Sequence, residues 1–461
     1  MSAALAAALA VCMTAGCSGS DKKGGTGGEV SIKIGGWPST ESASYEKYES
    51  MKKDFMKKNP GIKVETDTWA FDLNTFLPKA ASGQLPDVYT MSFTEIKRII
   101  DSGYATDITK YMDKYEYTKY LRDDVKELIS KDGKIYAVPQ DAYVMGLYIN
   151  LNLFKKAGLL NEDGTPKVPK TWEELAQTAK TIKEKTGVPG FTMPTMQNCG
   201  GWHFLNMAWG YGTSREFMEQ VDGKWKANFA TPETAAALQF VKDLKYKYGA
   251  IPENALMEAN EMVKMFATDR TAMMLATPPQ DALTQTHKMD KNNIAIASMP
   301  AGPKGKFTQM GGNLRVFKNG LSDEQTDACF KWLDYIGVSP NISEESKKSR
   351  EDLMKIDADS GKMIGVKNFS MWKQEGGAPA VEKFQNELID KYTNVDPKMF
   401  EDFQKFDELT IVPEPPINCQ QLYNIIDGCI QGVLLKPDSD PAALLKKAQD
   451  DFQINYLDKA E

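Results

Sequence analysis

Between residues 30 and 100 the spacing of apolar side chains switches repeatedly from a period of two to one near 3.6. That alternation limits the fold more than any other feature of the chain. Val30, Ile32 and Ile34 alternate with polar residues and stop at Gly35-Gly36. Tyr45, Tyr48, Met51 and Phe55 then recur at helical spacing until Asn59-Pro60-Gly61 ends the run. Ile62, Val64 and Thr66 read as a second strand, and Leu73, Phe76, Leu77 and Ala80 as a second helix closed by Ser82-Gly83. Asp87-Val88-Tyr89-Thr90-Met91 is a third strand, and Ile96, Ile99 and Ile100 mark a third helix. The order β-α-β-α-β predicts an α/β fold with mostly parallel sheets covered by helices. At 461 residues the chain has room for two or three domains.

In open α/β sheets ligands sit beyond the carboxyl ends of the strands. Trp37 lies three residues past the first strand, Trp69 three past Thr66, and Ser92-Phe93 directly after the third. Indole faces at strand exits would form the floor of a cleft and offer stacking surfaces to a sugar ring. Composition narrows the alternatives. The net charge of −7 and pI of about 5.3 argue against a nucleic-acid partner. Only two histidines, His203 and His287, are present, which excludes paired-His zinc sites and H-E-x-x-H. The six arginines, Arg98, Arg122, Arg215, Arg270, Arg315 and Arg350, are far outnumbered by lysine, which tilts towards a neutral ligand. No repeat, P-loop, G-x-G-x-x-G or G-x-S-x-G occurs, and no cofactor is expected.

Residues 1–16 carry no charge and fit the apolar region of a secretory leader. Thr14-Ala15-Gly16-Cys17 resembles the bacterial lipobox, in which the cysteine becomes the acylated first residue. The Gly-rich stretch from Ser18 to Gly28 would then be a flexible tether with a reach of roughly 18 Å. The remaining thiols, Cys199, Cys329, Cys419 and Cys429, make no disulfide scaffold, although Cys419 and Cys429 could pair. Further along, Ile135–Pro139 and the apolar run Tyr143–Ile149 read as buried strands crossing between two lobes. Thr171-Trp172-Glu173-Glu174 matches a capping box, and Thr231-Pro232 opens another helix. Asn161-Glu162-Asp163-Gly164 has part of a calcium-loop pattern, but Trp172 stands where a glutamate is needed, so a surface turn is expected.

Ordered segments along nearly the whole mature chain resemble the sugar-binding family of bacterial ABC-importer solute-binding proteins that includes maltose-binding protein. Ala81–Val88 is similar to its A-S-G-x-x-P-D-V segment and Asp132–Pro139 to D-G-K-x-Y-A-V-P. Tyr148–Asn150 with Leu153–Leu159 resembles Y-x-N-x-x-L-F-x-x-A-G-L, and Pro169–Leu175 resembles P-x-T-W-E-E-L. Phe266–Met273 follows F-x-x-G-x-x-A-M with Asp269 for glycine, and Met299–Pro303 and Gly311–Asn313 match the return to the first lobe. The resemblance implies a two-lobe periplasmic-binding-protein fold of type II with a hinge between the lobes. Lobe 1 would hold residues 29–141 and 301–345, and lobe 2 residues 142–300 and 346–461, the stretch 345–410 being longer than the family core.

The resemblance also implies cleft positions. Trp37 and Trp69 fall in loops that contact sugar, and Ser92 and Glu95 follow the P-D-V strand. Asp141 and Tyr143 sit at the first hinge. Trp202, His203 and Trp209 occupy the lobe-2 segment that offers a stacking aromatic. Thr277 and Gln280 follow the A-M strand, where Ala276-Thr277-Pro278-Pro279 lacks the family's frequent tryptophan. Gly312, Asn313 and Arg315 lie where lobe 1 meets the ligand again, and Trp372 is an aromatic candidate in the long insertion. The implied function is capture of an oligosaccharide and delivery to an ABC permease by a monomeric lipoprotein on the outer face of the cell membrane. A receptor feeding a membrane sensor, a secreted glycoside hydrolase using two carboxylates, and a receptor for a peptide, a phosphoester or an acidic sugar, the last relying on Arg315, are the alternatives.

Overall fold

The computed structural model describes residues 29–42, 44–374 and 377–459. Cys17 and the leader and tether expected over residues 1–28 lie outside them. The first lobe begins with β1 (Val30–Ile34), α1 (Tyr45–Lys58), β2 (Ile62–Thr66), α2 (Leu73–Ala81) and β3 (Val88–Ser92). β1 runs parallel to β2, with Ile32 opposite Val64, and to β3, with Ile34 opposite Val88. The apolar stripe of α1 buries Met51 and Phe55, and the Asp72 carboxylate caps α2 by accepting from the Thr75 amide at 3.0 Å.

Two consecutive strands then carry the chain between sheets. β4 (Ala137–Val144) pairs antiparallel with β8 (Phe307–Phe317), which itself pairs antiparallel with β3, completing the lobe-1 sheet. One residue later β5 (Gly146–Asn150) is the central strand of a second sheet, between β6 (Met273–Ala276) and β7 (Ile294–Ala297). The passage turns on Met145, whose amide donates to Thr308 Oγ1 at 3.0 Å. The sheet containing β5 is antiparallel throughout, unlike the mostly parallel arrangement expected. The reason is topological: β5 leads away from the hinge, and β6 and β7 both bring the chain back towards it.

Between β5 and β6 lie α3 (Trp172–Thr186), α4 (Cys199–Tyr211) and α5 (Pro232–Tyr246). At α3 the Thr171 hydroxyl accepts from the Glu174 amide, but the Glu174 carboxylate reaches back to the amide of Lys170 rather than of Thr171. After β8 come α6 (Asp323–Tyr335), α7 (Glu344–Asp359), α8 (Ala380–Tyr392), β9 (Thr410–Val412), α9 (Cys419–Leu435) and α10 (Pro441–Phe452). α9 packs on α4, and β9 joins β8 in parallel, Phe307 opposite Thr410.

The stretch 345–410, longer than the family core, makes contacts towards both lobes. α7 is tied to α1 by Lys47–Asp352 at 2.6 Å and Lys58–Glu345 at 3.1 Å. The backbone around Trp372 pairs with the lobe-1 segment at Tyr120–Arg122. Lys362 meanwhile bonds Asp281 at 3.2 Å, and Gln285 donates to the Ser360 carbonyl, both towards lobe 2. The excursion therefore bridges the lobes. The turn at Asn161–Gly164 is a surface turn in which Asp163 accepts from Thr165. All four thiols are free; Cys419 and Cys429 share α9, ten residues or about 15 Å apart, too far to bridge.

Candidate functional site

Where β3, β4 and β8 lie side by side, Asn313 stands opposite both Ser92 and Asp141. Asp141 Oδ1 accepts from the Asn313 amide at 3.0 Å and from its Nδ2 at 2.9 Å. Burial pushes the Asp141 carboxyl up, and the Asn313 bonds oppose that shift. Gly312 is here a packing residue, since a Cβ would fall 2.4 Å from the Asp141 carbonyl oxygen and against the Phe93 ring. Asp141 opens onto a cavity of about 390 Å³, whose far wall is the α7–α8 excursion. Trp372 and Phe369 supply its aromatic surface, and Gln140, Asn368, Gln385 and Asn386 supply amide groups. A mixed amide and aromatic lining suits a polyhydroxylated ligand: amides donate and accept towards hydroxyls, and rings cover C–H faces. Two smaller chambers adjoin it. One, about 240 Å³, is lined by Tyr48, Arg315 and Arg350; the other, about 280 Å³, reaches Pro279 and Asp281 of lobe 2.

A second neighbourhood lies where the lobes touch. The Cys419 thiol at the start of α9 lies 3.6 Å from the Thr94 carbonyl of lobe 1. Beside it Trp202 Nε1 donates to Glu414 Oε1 at 2.9 Å. Burial, reinforced by the like charge of Glu95, pushes the Glu414 carboxyl up to about 7. Glu95 itself is 7% exposed; burial raises its carboxyl, and Arg98 at 3.8 Å pulls it back. Burial and the charges of Glu414 and Asp141 raise Tyr143 to about 12.

Several expected site residues are interior. Trp37 is 5% exposed, lies 5.7 Å from Trp332 of α6, and donates Nε1 to Glu49 at 3.0 Å. Trp209 is 1% exposed and donates to the Arg215 carbonyl. His203 has Nδ1 2.7 Å from the Cys199 carbonyl oxygen and Nε2 3.2 Å from that of Leu275; burial pushes the imidazole down to about 4. None of these three lines the cavity at Asp141: helix α4 is buried on nearly all sides, and α6 covers the loop after β1. Trp69 packs on Tyr89, donates to Thr75 and does not line the cavity. Gln280 donates its amide to the Tyr148 hydroxyl, and Thr277 precedes it in the same loop. Trp372 does line the cavity, although only 4% exposed.

Sequence reasoning missed Glu414, Gln140, Gln385 and Arg350. The lone acid in Val412-Pro413-Glu414-Pro415-Pro416 and the scarcity of arginine were the signals available. No group of three or more His, Cys, Asp or Glu suited to a metal occurs among the described residues.

The profile of the bacterial extracellular solute-binding proteins matches residues 37–336, well over half of the chain. The chain belongs to that family. Among its relatives, the sn-glycerol-3-phosphate-binding periplasmic protein UgpB of Brucella melitensis is 27% identical over 238 residues, 49% of this chain and 50% of its own. The multiple sugar-binding protein of Streptococcus mutans is 31% identical over 168 residues, 34% of this chain and 35% of its own. The cyclic alpha-maltosyl-1,6-maltose binding protein of Arthrobacter globiformis superposes with a TM-score of 0.66 at 19% identity, covering 92% of this chain and 98% of that one. The fold is thus the two-lobe type II periplasmic-binding fold. Members of the family are substrate-binding proteins of ABC transporters, working outside the cytoplasm. Among the described residues no helix is long and apolar enough to cross a membrane.

Proposed function

We propose that this solute-binding protein captures a carbohydrate, with oligosaccharide favoured, and hands it to the transmembrane subunits of an importer. The observation that carries the reading is the cavity at the hinge strand β4, lined by Trp372 and Phe369 together with Gln140, Asn368 and Gln385. Ligand touching both the hinge and the bridging excursion would hold the lobes together, and the permease would recognise the joined surface. On this reading the protein is monomeric and tethered to the outer face of the membrane through an acylated Cys17.

The test is thermal unfolding of the full chain against a panel of oligosaccharides, with chromatography of each sugar afterwards. Ligand at 100 times its dissociation constant adds about 2.7 kcal/mol to stability, which reads as a raised melting temperature. A shift with the sugar recovered intact supports the receptor; shortened sugar would overturn it in favour of a glycoside hydrolase. Asn368→Ala is expected to weaken the sugar about tenfold by calorimetric titration while leaving unfolding of the free protein unchanged, because Asn368 is exposed, lines the cavity and would bond the ligand on this reading. Unchanged affinity in that variant would move the ligand out of this cavity.

A further inference from the structure

Two guanidinium groups beside the cavity make no ion pair. Arg315, on β8 opposite Thr90 and Val138, has its Nε sealed from solvent with no hydrogen-bond acceptor. Arg350, on α7, donates Nη1 to Gln385 Oε1 at 2.7 Å and Nε to the Gly337 carbonyl at 3.2 Å, with Nη2 on that same carbonyl. All of these acceptors are neutral. Among the described residues neither guanidinium has a carboxylate within 4.0 Å. The more exposed Arg98, Arg122 and Arg270 contrast with them, each paired to an acid: Glu95, Asp124 and Glu261. Burying a charge without a counter-charge is costly, and burial pulls the Arg350 guanidinium down to about 10 and lowers Arg315 too.

Of the acids nearby, Asp141 accepts from Asn313 while its charge still favours the charged form of Arg315, and Asp357, which lines the same chamber, is paired with Lys362 at 3.0 Å. Glu382 lines the larger cavity with a buried Oε2 that has no hydrogen-bond partner, and it makes no ion pair with either arginine. Arg350 has a structural role at the C-terminal end of α6, where Gly337 offers its carbonyl and the helix dipole favours a cation. No such role accounts for Arg315. Both arginines line one chamber of about 240 Å³, which shares Gln140, Val338, Arg350 and Gln385 with the 390 Å³ cavity.

We infer that the ligand is an anionic carbohydrate, whose carboxylate or phosphate group enters the smaller chamber between Arg315 and Arg350 while its hydroxylated body fills the larger one. A guanidinium fork matches either oxyanion in two-point geometry, and the anion would supply the counter-charge at ion-pair distance that neither arginine has within the fold. The inference rests on the reading of this cavity as the sugar site.

The experiment is calorimetric titration of the full chain with matched pairs: a neutral oligosaccharide and its uronic-acid counterpart, and a neutral sugar and its phosphate, with inorganic phosphate alone as a further probe. One charged member is expected to bind roughly 100-fold more tightly than its neutral partner, the arm in which this happens naming carboxylate or phosphate. Arg315→Met is expected to abolish that difference, leave the neutral sugar within about threefold, and leave the melting temperature of the free protein equal or higher. If Arg315→Met does not fold, the matched pairs on the parent protein decide alone. Neutral sugars binding as tightly as charged ones would overturn this inference and leave the carbohydrate reading standing. Inorganic phosphate binding with no sugar bound would overturn the carbohydrate reading, and no binding in any arm would overturn both.

Discussion

Replacing Glu414 by glutamine is expected to stabilise the protein relative to the parent by an amount that grows from near zero at pH 4 to roughly 3 kcal/mol at pH 8. The carboxyl is buried against Trp202, with Glu95 and Tyr143 nearby and Cys419 and Tyr423 of α9 beside it; it titrates at about 7 in the folded protein against 4.5 ordinarily. Between those values the native state binds more protons than the unfolded one, so the contribution of Glu414 to stability falls as pH rises and is fully lost above about 7. Glutamine keeps an oxygen for Trp202 Nε1 and removes the titration.

His203 has the opposite slope. Its imidazole is pushed down from 6.5 to about 4, so its contribution is lost as pH falls through that range. The two trends nearly cancel in the parent, which is why the difference between variant and parent is the informative quantity. Urea denaturation at half-unit steps from pH 4 to pH 8 measures it. A difference that does not change with pH would refute the assignment of a buried, proton-holding Glu414 at the lobe contact.

The second large effect concerns the seat of that neighbourhood. Gly201→Ala is expected to cost about 3 kcal/mol or more, towards the upper end of what overpacking costs. A Cβ there would stand 2.3 Å from the Tyr423 carbonyl oxygen and 2.5 Å from its Cα, backbone that cannot swing aside. The α4–α9 contact is also held by Asp427, whose carboxylate accepts from the amides of Asn198 and Gly201 at 2.7 Å each. Separating the helices would break those bonds and displace Trp202 from Glu414. Gly428→Ala on α9 is the matched control: it is exposed, meets nothing within 4 Å, and should gain about 0.5–1 kcal/mol from helix propensity. Chemical denaturation of both variants checks this. A Gly201→Ala protein within 1 kcal/mol of the parent would show that the helices can part freely.

The strands and helices from Val30 to Asp101 were legible because each buries one face, and burial on one face forces a period that the sequence displays. The site was legible only in part. Asp141 and Asn313 are adjacent because β4 and β8 pair in one register, which two segments 172 residues apart do not announce. Trp37 and Trp209 show the converse. A tryptophan at a strand exit or on a helix serves a ligand or a core equally well by sequence, and Trp332 and Phe217, packed against them, decided for the core.

By itself the sequence determined the α/β class, the element order from Val30 to Asp101, the presence but not the bounds of two apolar strands near 135–150 and, through its ordered motifs, the family. These rest on local period and short segments, which neighbouring residues settle among themselves. The antiparallel run of the second sheet, the bridging of the lobes by the α7–α8 excursion, the partnership of Trp202 with Glu414 and the lack of an ion pair at Arg315 were decided only in the tertiary structure. Each depends on groups brought together from remote positions, where burial and charge are properties of the assembled neighbourhood rather than of any segment.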